Sequence, residues 1–307
     1  MKKILVTAIG GDIGQSIASC IIKNDKFKVF GTETHQNHAG TLFAEKVDII
    51  PKAESQNYLD ILEDKILKNN IDVVIPVNEQ ELKVITNTSN KLNIISANKE
   101  IIDIGLDKLK TMIKLSKIGI KTPWTIDADS EEPLDYPCIF KPRFGSGSKS
   151  IFVINSDIEA RFFSKKFPKY VFQKLIYPFD RELTCCVYRK KDGNINSIQF
   201  ERELVGGMTG WAKVIYNKKV EFILHKIAEE LKLNGSINIQ LRLADGEPMI
   251  FEINPRFSST ALMRHNLGFK DVLWSINEFF DIPFEFSKIK TGAELVRTSN
   301  INIISKF

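Results

Sequence analysis

The chain has 307 residues, enough for about two domains, and its 43% hydrophobic and 26% charged residues are ordinary for a globular protein. The formal charge of +5 comes from scattered Lys and Arg residues, which argues against a nucleic-acid-binding face. No apolar run reaches the roughly 18 residues of a membrane span, and the N-terminus lacks the apolar segment and cleavage site of a signal peptide.

The N-terminal third alternates between short apolar runs and helical patterns. Residues 4–7 predict a buried strand, and the turn 8–14 leads into a helical pattern over 15–23. Further strands are predicted at 28–31, 47–50, 72–77 and 93–95, and further helices at 57–69 and 79–89. This alternation predicts a parallel sheet with helices on both faces, in a unit that ends near residue 105.

The pattern changes after a helical segment at 106–121. The next stretch predicts a small α+β subdomain, with strands at 137–142, 149–154 and 170–174 and a helix at 157–165. The last third is rich in strands, at 182–189, 195–201, 212–216, 236–243 and 248–254, with helices at 218–232 and 268–280. Residues 287–307 are polar and weakly patterned.

A hairpin over residues 236–254 carries the most specific local pattern. In the first strand, apolar Ile237, Ile239, Leu241 and Leu243 alternate with polar Asn238, Gln240 and Arg242. In the second strand, Met249, Phe251 and Ile253 alternate with Ile250, Glu252 and Asn254. The five-residue loop 244–248, which contains Asp-Gly, is then expected to join the two strands.

This loop length pairs Gln240 with Glu252 and Asn238 with Asn254, so that all four side chains project from one face. Oxygen ligands on neighbouring strands, with one carboxylate among them, suit Mg²⁺ that also binds phosphate oxygens. An ordinary solvated hairpin face is the alternative. Pro255-Arg256 directly after the strand favours the metal site, because it places a fixed cation beside the oxygens.

A lysine and a glycine-rich loop form the second signal. The apolar strand Cys138–Pro142 ends on Lys141, and the loop 145–150 follows. Glycines let backbone N–H groups approach phosphate oxygens, and the serines add hydroxyl donors. The loop lacks the Walker A spacing and joins two strands rather than opening a helix. Alone it would indicate a flexible turn, but the lysine and the later hairpin favour phosphate binding.

The order of these features resembles the ATP-grasp superfamily, and it is most similar to the branch containing biotin carboxylase and the carbamoyl phosphate synthetase large subunit. The resemblance covers roughly residues 1–285. It implies an α/β and α+β fold, in which a Rossmann-like pre-ATP-grasp domain precedes a two-subdomain ATP-grasp fold. The implied boundaries are 1–105 for the first domain, 106–173 for the lid subdomain with its linker helix, and 174–307 for the C-terminal subdomain.

The resemblance also implies roles for the matching residues. The implied catalytic residues are Arg256 and Lys141. The implied nucleotide-binding residues are Lys108 and Lys141, the lid-loop residues Gly145, Ser146, Gly147 and Ser148, the adenine hinge Gln173, Lys174, Leu175 and Ile176, and the ribose carboxylate Glu182. The implied metal ligands are Gln240, Glu252 and Asn254.

Two positions depart from the pattern of this family. Met208, in the segment 201–211, stands where the family often has a histidine near the phosphates. Gln240 stands at the first metal position in place of a carboxylate, which leaves less charge on the metal and more reliance on ATP oxygens.

The implied activity is an ATP-dependent carboxylate–amine ligase that forms an acyl phosphate with ATP and Mg²⁺, for which Mn²⁺ could substitute. The chain has one ATP-grasp module and no glutaminase or biotin-carrier sequence, so a self-contained ligase fits better than carbamoyl phosphate synthesis or carboxylation. Its expected partners are a small-molecule carboxylate and amine, with a homodimer as an option and no nucleic acid or membrane. Four scattered cysteines without a C-x-x-C pair indicate free thiols, and we expect a cytoplasmic protein.

Two alternatives remain at this point. A dinucleotide-dependent oxidoreductase would use the turn around Gly10 and Gly14, with Glu33 as the ribose carboxylate, although the glycine spacing is irregular. A nucleotide-binding protein without catalysis would have lost ligands, yet Lys141 and Arg256 are both present.

Overall fold

The structure is a computed structural model, and it describes residues 1–88, 92–145, 150–178, 181–298 and 302. These ranges contain three β-sheets, one in each successive part of the chain. Within them, no helix combines the length and apolarity that crossing a membrane requires. Three of the predicted lid-loop residues, Ser146, Gly147 and Ser148, lie outside the described residues.

The N-terminal unit is a parallel sheet between two layers of helices. Its strands are β1 (Lys2–Val6), β2 (Phe27–Glu33), β3 (Lys46–Ile49) and β4 (Val73–Ile75), and its helices are α1 (Asp12–Ile21), α2 (Tyr58–Asn69) and α3 (Glu79–Thr88). The next helix, α4 (Lys99–Gly105), buries Ile101 and Ile102 in the core of the third sheet instead. The strand order is β3-β2-β1-β4. Ile4 and Val6 pack with α1, whereas Leu5 packs with α2 and α3, because successive side chains of a strand face opposite sides. The predicted strand at 93–95 is wrong, since this segment meets β4 through a single bridge, from Ile94 to Val74.

The second unit follows helix α5 (Lys108–Lys117) and is an antiparallel sheet with one helix. Its strands are β5 (Thr125–Asp127), β6 (Cys138–Pro142), β7 (Phe152–Ile154) and β8 (Tyr170–Lys174), and its helix is α6 (Asp157–Lys166). The strand order is β5-β8-β6-β7. Phe140 is fully buried and contacts the rings of Phe163 and Phe172. This aromatic core fixes β6, the strand that carries Lys141.

The third unit is a larger antiparallel sheet. Its strands are β9 (Glu182–Arg189), β10 (Ile195–Val205), β11 (Met208–Ile215), β12 (Gly235–Ala244), β13 (Glu247–Asn254) and β14 (Glu294–Val296), and its helices are α7 (Lys218–Glu230), α8 (Ala261–Asn266) and α9 (Asp271–Phe279). The strand order is β13-β12-β9-β10-β11-β14. Cys185 and Cys186 pack into different cores on the two faces of the sheet, as their adjacency on a strand requires.

The hairpin of β12 and β13 has the predicted pairing but not the predicted loop. Gln240 pairs with Glu252 and Asn238 pairs with Asn254. However, Ala244 pairs with Glu247, so two residues form the turn, and the register shifts by one residue after Gln240. The additional residue on β13 is Phe251, a β-bulge.

Because of the bulge, the faces predicted for two residues of β13 are wrong. Ile250 was expected beside Glu252 on the polar face, but it is fully buried in the apolar core together with Ile253. Phe251 was expected in that core and instead lines a cleft on the other side. A single bulged residue reverses which side of the sheet each earlier residue of the strand faces. The wrong loop length and the wrong faces of Ile250 and Phe251 therefore have the same cause.

A buried ion pair holds the segment after β13. Arg264 is fully buried and donates to both carboxylate oxygens of Asp271, at 2.8 and 2.7 Å. Its third nitrogen donates to the hydroxyl oxygens of Ser258 and Thr260 at 2.9 and 3.0 Å. Because the two-pronged geometry satisfies both buried charges, it fixes the segment that follows Arg256.

Candidate functional site

A cleft of about 1010 Å³ lies among the three units and is lined by residues from each of them. The N-terminal unit contributes Asp12 and Asn78, and the second unit contributes Lys141. The third unit contributes Glu252 and Arg256. The cleft therefore brings together side chains that are far apart in sequence.

Lys141 reaches into the cleft from β6 and is only 4% exposed. Its Nζ lies 3.4 Å from the backbone oxygen of Phe251 and 5.5 Å from the centre of that ring. Burial lowers the pKa of Lys141 to about 8, although the nearby carboxylate of Glu252 acts in the opposite direction. The second unit thus delivers a buried cation to the oxygen face of the hairpin.

The polar face of the hairpin presents the three predicted metal ligands to the cleft. Gln240, Glu252 and Asn254 all line it, and Asn238 lies beside them. Thr184 on the neighbouring strand β9 donates to Asn238 Oδ1 at 3.1 Å, which orients that amide. Gln240, Glu252 and Asn254 offer oxygen atoms as metal ligands, and one of the three is a carboxylate. Such a set suits Mg²⁺ that is also bound by phosphate oxygens. Within the described ranges, no group of three or more His, Cys, Asp or Glu residues forms an all-protein metal cage.

Lys108 stands at the start of α5 and is 8% exposed. Its Nζ donates to the backbone oxygen of Gly145 at 2.5 Å, and it lines the cleft. Gly145 has a φ of +92°, a backbone conformation that favours glycine. Lys108 therefore contacts the first residue of the predicted lid loop.

The predicted adenine hinge and ribose carboxylate lie on another wall. Gln173, Lys174 and Ile176 line the cleft, whereas Leu175 is buried and is not among the lining residues. The side chain of Gln173 donates to Thr125 Oγ1 at 2.9 Å, which ties β8 to β5.

Glu182 also lines the cleft, but its carboxylate already has two cationic partners. Arg202 Nε donates to Oε1 at 3.1 Å, and Arg242 Nη2 donates to Oε2 at 3.2 Å. Both arginines line the cleft as well. Sequence reasoning assigned neither a role, although Arg242 follows Gln240 by two residues and its side chain was expected on the same face.

Arg256 lies between the N-terminal unit and the third sheet. Its Nη2 donates to Glu79 Oε1 at 3.2 Å, and its Nη1 donates to the backbone oxygen of Phe257 at 3.1 Å. Both side chains of the ion pair are largely buried, at 8% and 11% exposure. Glu79 begins helix α3, so a residue of the first unit orients the predicted catalytic arginine of the third.

The glycine turn after β1 does not have the arrangement that the oxidoreductase alternative needs. The carboxylate of Glu33 accepts hydrogen bonds from the backbone N–H groups of Gly10 and Thr34, at 2.8 and 3.0 Å. His38 packs against Gly10, where an added Cβ would lie 2.8 Å from its side chain. Glu33 is therefore used to close this turn rather than to bind a ribose.

Met208, the departure noted from the family pattern, lines the cleft and is 39% exposed. It is the first residue of β11, beside Gly207. The thioether offers no proton to a phosphate, so this position provides an apolar surface where a histidine would provide a donor.

Comparison with known proteins places this arrangement in a family context. Residues 106–260 match the family model described as ATP-grasp domain, which is just over half of the chain, and residues 4–98 match the model described as PylC-like, N-terminal domain. The carbamoyl phosphate synthase large chain of Campylobacter jejuni is 27% identical over 190 residues, which are 54% of this chain and 17% of that protein. This chain thus spans less than a fifth of the length of the curated relatives it first matches.

Two solved structures share the fold. N5-carboxyaminoimidazole synthetase from Staphylococcus aureus, complexed with ADP, is 20% identical with a TM-score of 0.76, over 94% of this chain and 80% of that one. The biotin carboxylase domain dimer of Hydrogenobacter thermophilus 2-oxoglutarate carboxylase, in complex with MgADP, ADP and bicarbonate, is 15% identical with a TM-score of 0.75, over 95% and 73% of the two chains. The match of residues 106–260 to the ATP-grasp domain confirms the predicted family, and the two solved structures confirm the predicted fold class.

Proposed function

The chain belongs to the ATP-grasp family, and from this premise we propose that it uses MgATP to activate a carboxylate as an acyl phosphate and joins it to an amine, releasing ADP and phosphate. The observation that carries the proposal is the meeting of Lys141, Glu252 and Arg256 in one cleft, although each belongs to a different strand or loop. A protein that only bound the nucleotide would have no need of all three.

The nucleotide in this proposal spans the cleft from the hinge to the hairpin. Gln173, Lys174 and Ile176 hold the adenine, with buried Leu175 packing behind them. Glu182 takes the ribose hydroxyls while Arg202 and Arg242 keep its carboxylate in place. Lys108, Lys141 and the lid loop that begins at Gly145 bind the phosphates.

Gln240, Glu252 and Asn254 are the proposed metal ligands. Mg²⁺ bound there would supply positive charge that balances the negative charge on the phosphate oxygens during phosphoryl transfer. Glu252 is the single carboxylate of the three proposed ligands, and it therefore supplies the negative charge with which they hold the metal. The same oxygen donors would also accept Mn²⁺, so we propose either ion as the activator.

The first chemical step is phosphoryl transfer. A carboxylate oxygen of the substrate attacks the γ-phosphorus, the bond to the bridging oxygen breaks, and ADP leaves. Negative charge spreads over the phosphoryl oxygens in the transition state, and the cations Lys141 and Arg256 stabilise it. The lid loop excludes water, which would otherwise hydrolyse the acyl phosphate.

The second step is acyl transfer. The amine nitrogen attacks the acyl carbon, the carbon–oxygen bond to phosphate breaks, and the nitrogen loses a proton. The tetrahedral intermediate carries an oxyanion, for which Arg256 is the best-placed cation because Glu79 and the Phe257 carbonyl fix its guanidinium. The N-terminal unit closes the end of the cleft where Arg256 lies, and we assign to it the binding of the small-molecule acceptor. A homodimer is compatible with this arrangement.

The proposal is tested by a screen of carboxylate and amine pairs with MgATP. ADP formation that requires both partners, together with a product whose mass equals the two substrates less one water, is the expected result. ADP formation that no added carboxylate stimulates would contradict the ligase activity.

Glu252→Gln should raise the Mg²⁺ concentration needed for half-maximal turnover by roughly tenfold or more, because it removes the single carboxylate while keeping the shape. Turnover measured over a Mg²⁺ titration checks this. Glu247→Gln is the matched control, since Glu247 lies on the same strand but pairs with Lys219 on the surface. Normal turnover of Glu252→Gln at low Mg²⁺ would remove Glu252 from the metal site.

The pKa of Lys141 predicts how ATP binding depends on pH. Burial lowers this pKa to about 8, so the amino group is charged below that pH and loses its proton above it. Affinity for MgATP should therefore fall as pH rises through about 8, by up to roughly tenfold per pH unit. Calorimetric titration between about pH 7 and 9.5 checks this. Lys141→Arg, which stays charged, should show no such decline, and a parallel decline in both proteins would assign the effect to another group.

A further inference from the structure

Arg297, directly after β14, joins three segments that line or border the cleft. Its Nε donates to the backbone oxygen of Thr209 at 3.0 Å, and its Nη2 donates to that of Ser259 at 2.8 Å. Its Nη1 donates to Asp12 Oδ1. The backbone N–H of Arg297 also donates to the oxygen of Gly210 at 2.7 Å. One residue thus holds together the start of α1, the start of β11 and the segment that follows β13.

The side chains next to these contacts are apolar and line the cleft. Ile13 follows Asp12 on α1, and Met208 precedes Thr209 on β11. Leu204 pairs with Thr209 across the β10–β11 hairpin and lines the cleft as well. Leu204 is 42% exposed and Met208 is 39% exposed. Because water covers these apolar side chains in the free protein, an apolar group that displaces this water is bound favourably.

The charges at this end of the cleft do not suit an anionic ligand. Arg256 is paired with Glu79, and the guanidinium of Arg297 is paired with Asp12. Glu203 lines the cleft and is exposed, and its carboxylate has no ion-pair partner in the described part of the chain. Within the described ranges, the N-terminal unit adds no Lys, Arg or His to the lining, to which it contributes Ala8, Gly11, Asp12, Ile13, Val77 and Asn78. A phosphate placed here would lose water without gaining a cation of its own.

We propose that the amine substrate carries an apolar group and no phosphate, and that Ile13, Leu204 and Met208 form the surface that binds this group. The inference rests on the proposed ligase function. The apolar group lies on this surface, and the amine nitrogen is directed toward the acyl carbon. Burial of apolar area strengthens the binding of the amine and leaves the activation of the carboxylate unchanged.

The length of the amine measures the apolar contact. With a carboxylate that the wild-type chain activates, kcat/KM should rise by about fourfold for each methylene added from methylamine to butylamine, because each buried methylene gains a similar transfer free energy. O-phosphoethanolamine, an amine with a phosphate, should react no better than methylamine. A series without any rise, or a preference for O-phosphoethanolamine over butylamine, would overturn the inference.

Two exposed positions allow the surface itself to be changed. Met208→Gln keeps an unbranched side chain of similar length, and Leu204→Gln replaces the neighbouring apolar side chain. Each should lower kcat/KM for butylamine by about fivefold or more, because a polar amide replaces apolar contact area. Phe222→Gln is the matched control, since Phe222 is an exposed residue of α7 and is not among the described residues that line the cleft.

Hydroxylamine shows which substrate the surface binds. Its nitrogen attacks the acyl carbon, phosphate leaves, and a hydroxamate forms without any apolar group on the nucleophile. Met208→Gln and Leu204→Gln should therefore leave hydroxamate formation within about twofold of the wild-type rate. Equal losses with butylamine and hydroxylamine would overturn the inference, since they would assign the surface to activation of the carboxylate.

A binding measurement separates this inference from the ligase proposal. Saturation-transfer NMR with MgADP present should detect butylamine on the wild-type chain and on Phe222→Gln, and only weakly on Met208→Gln. A wild-type chain that forms no product with any pair and no hydroxamate would contradict the ligase function. In that case, transfer that falls in Met208→Gln would uphold the apolar surface as an amine-binding site, whereas equal transfer in the two proteins would overturn it.

Discussion

Arg256→Ala should reduce turnover by roughly 10²–10³-fold, the usual effect of removing one donor that stabilises charge in a transition state. The stabilisation of the protein by MgATP should remain nearly intact, because in the proposed site it is Lys141 and Lys108 that make the ground-state contacts with the phosphates. The rate of ADP formation and the ATP-induced change in melting temperature, measured on the same preparation, check both parts of this prediction.

The structure adds a requirement to this experiment. Removing Arg256 leaves the largely buried Glu79 without its cation, so the ligand-free variant should itself be less stable. Each change in melting temperature must therefore be referred to the same variant without ATP. Arg161→Ala is the matched control, since it removes an arginine from an exposed pair with Glu132 and should alter neither quantity. Parallel loss of turnover and ATP stabilisation would make Arg256 a ground-state phosphate ligand.

Lys141→Ala should abolish most of the increase in melting temperature that MgATP produces. A ligand that binds only the folded state stabilises it in proportion to the logarithm of its concentration over Kd, so a large loss of affinity removes the shift. The effect should be large because Lys141 is buried, and a charge–charge contact is screened little when water is excluded. Thermal unfolding with and without MgATP is the measurement.

Two further variants separate charge from packing. Lys141→Met keeps most of the length of the side chain without its charge, so it should lose the ATP shift as fully as the alanine variant while filling more of the space. Lys165→Ala removes an exposed lysine from α6 in the same unit and should keep the full shift. A normal shift in Lys141→Met would mean that the charge of Lys141 is not used in binding.

The periodicity of the sequence was sufficient to predict many of the strands and helices and part of the candidate site. Alternation along β12 placed Asn238 and Gln240 on one face, and the structure places them in the cleft. The pairing of Gln240 with Glu252 was also predicted correctly, because the two-residue turn and the bulge at Phe251 together give the same offset as a five-residue loop. The faces of Ile250 and Phe251 were predicted wrongly for that same reason, since periodicity does not locate a bulge.

By itself, the sequence determined which residue types are available and which strands carry them: Lys141 at the end of an apolar strand, and Glu252 and Arg256 around the end of another. Only the tertiary structure decided their partners. Arg256 meets Glu79 across 177 positions, and Arg297 meets Asp12 across 285. No periodic pattern spans such distances, because periodicity reports only which face a residue occupies within its own element. The contacts between elements depend on how the three sheets pack, and that packing closes the cleft around Lys141.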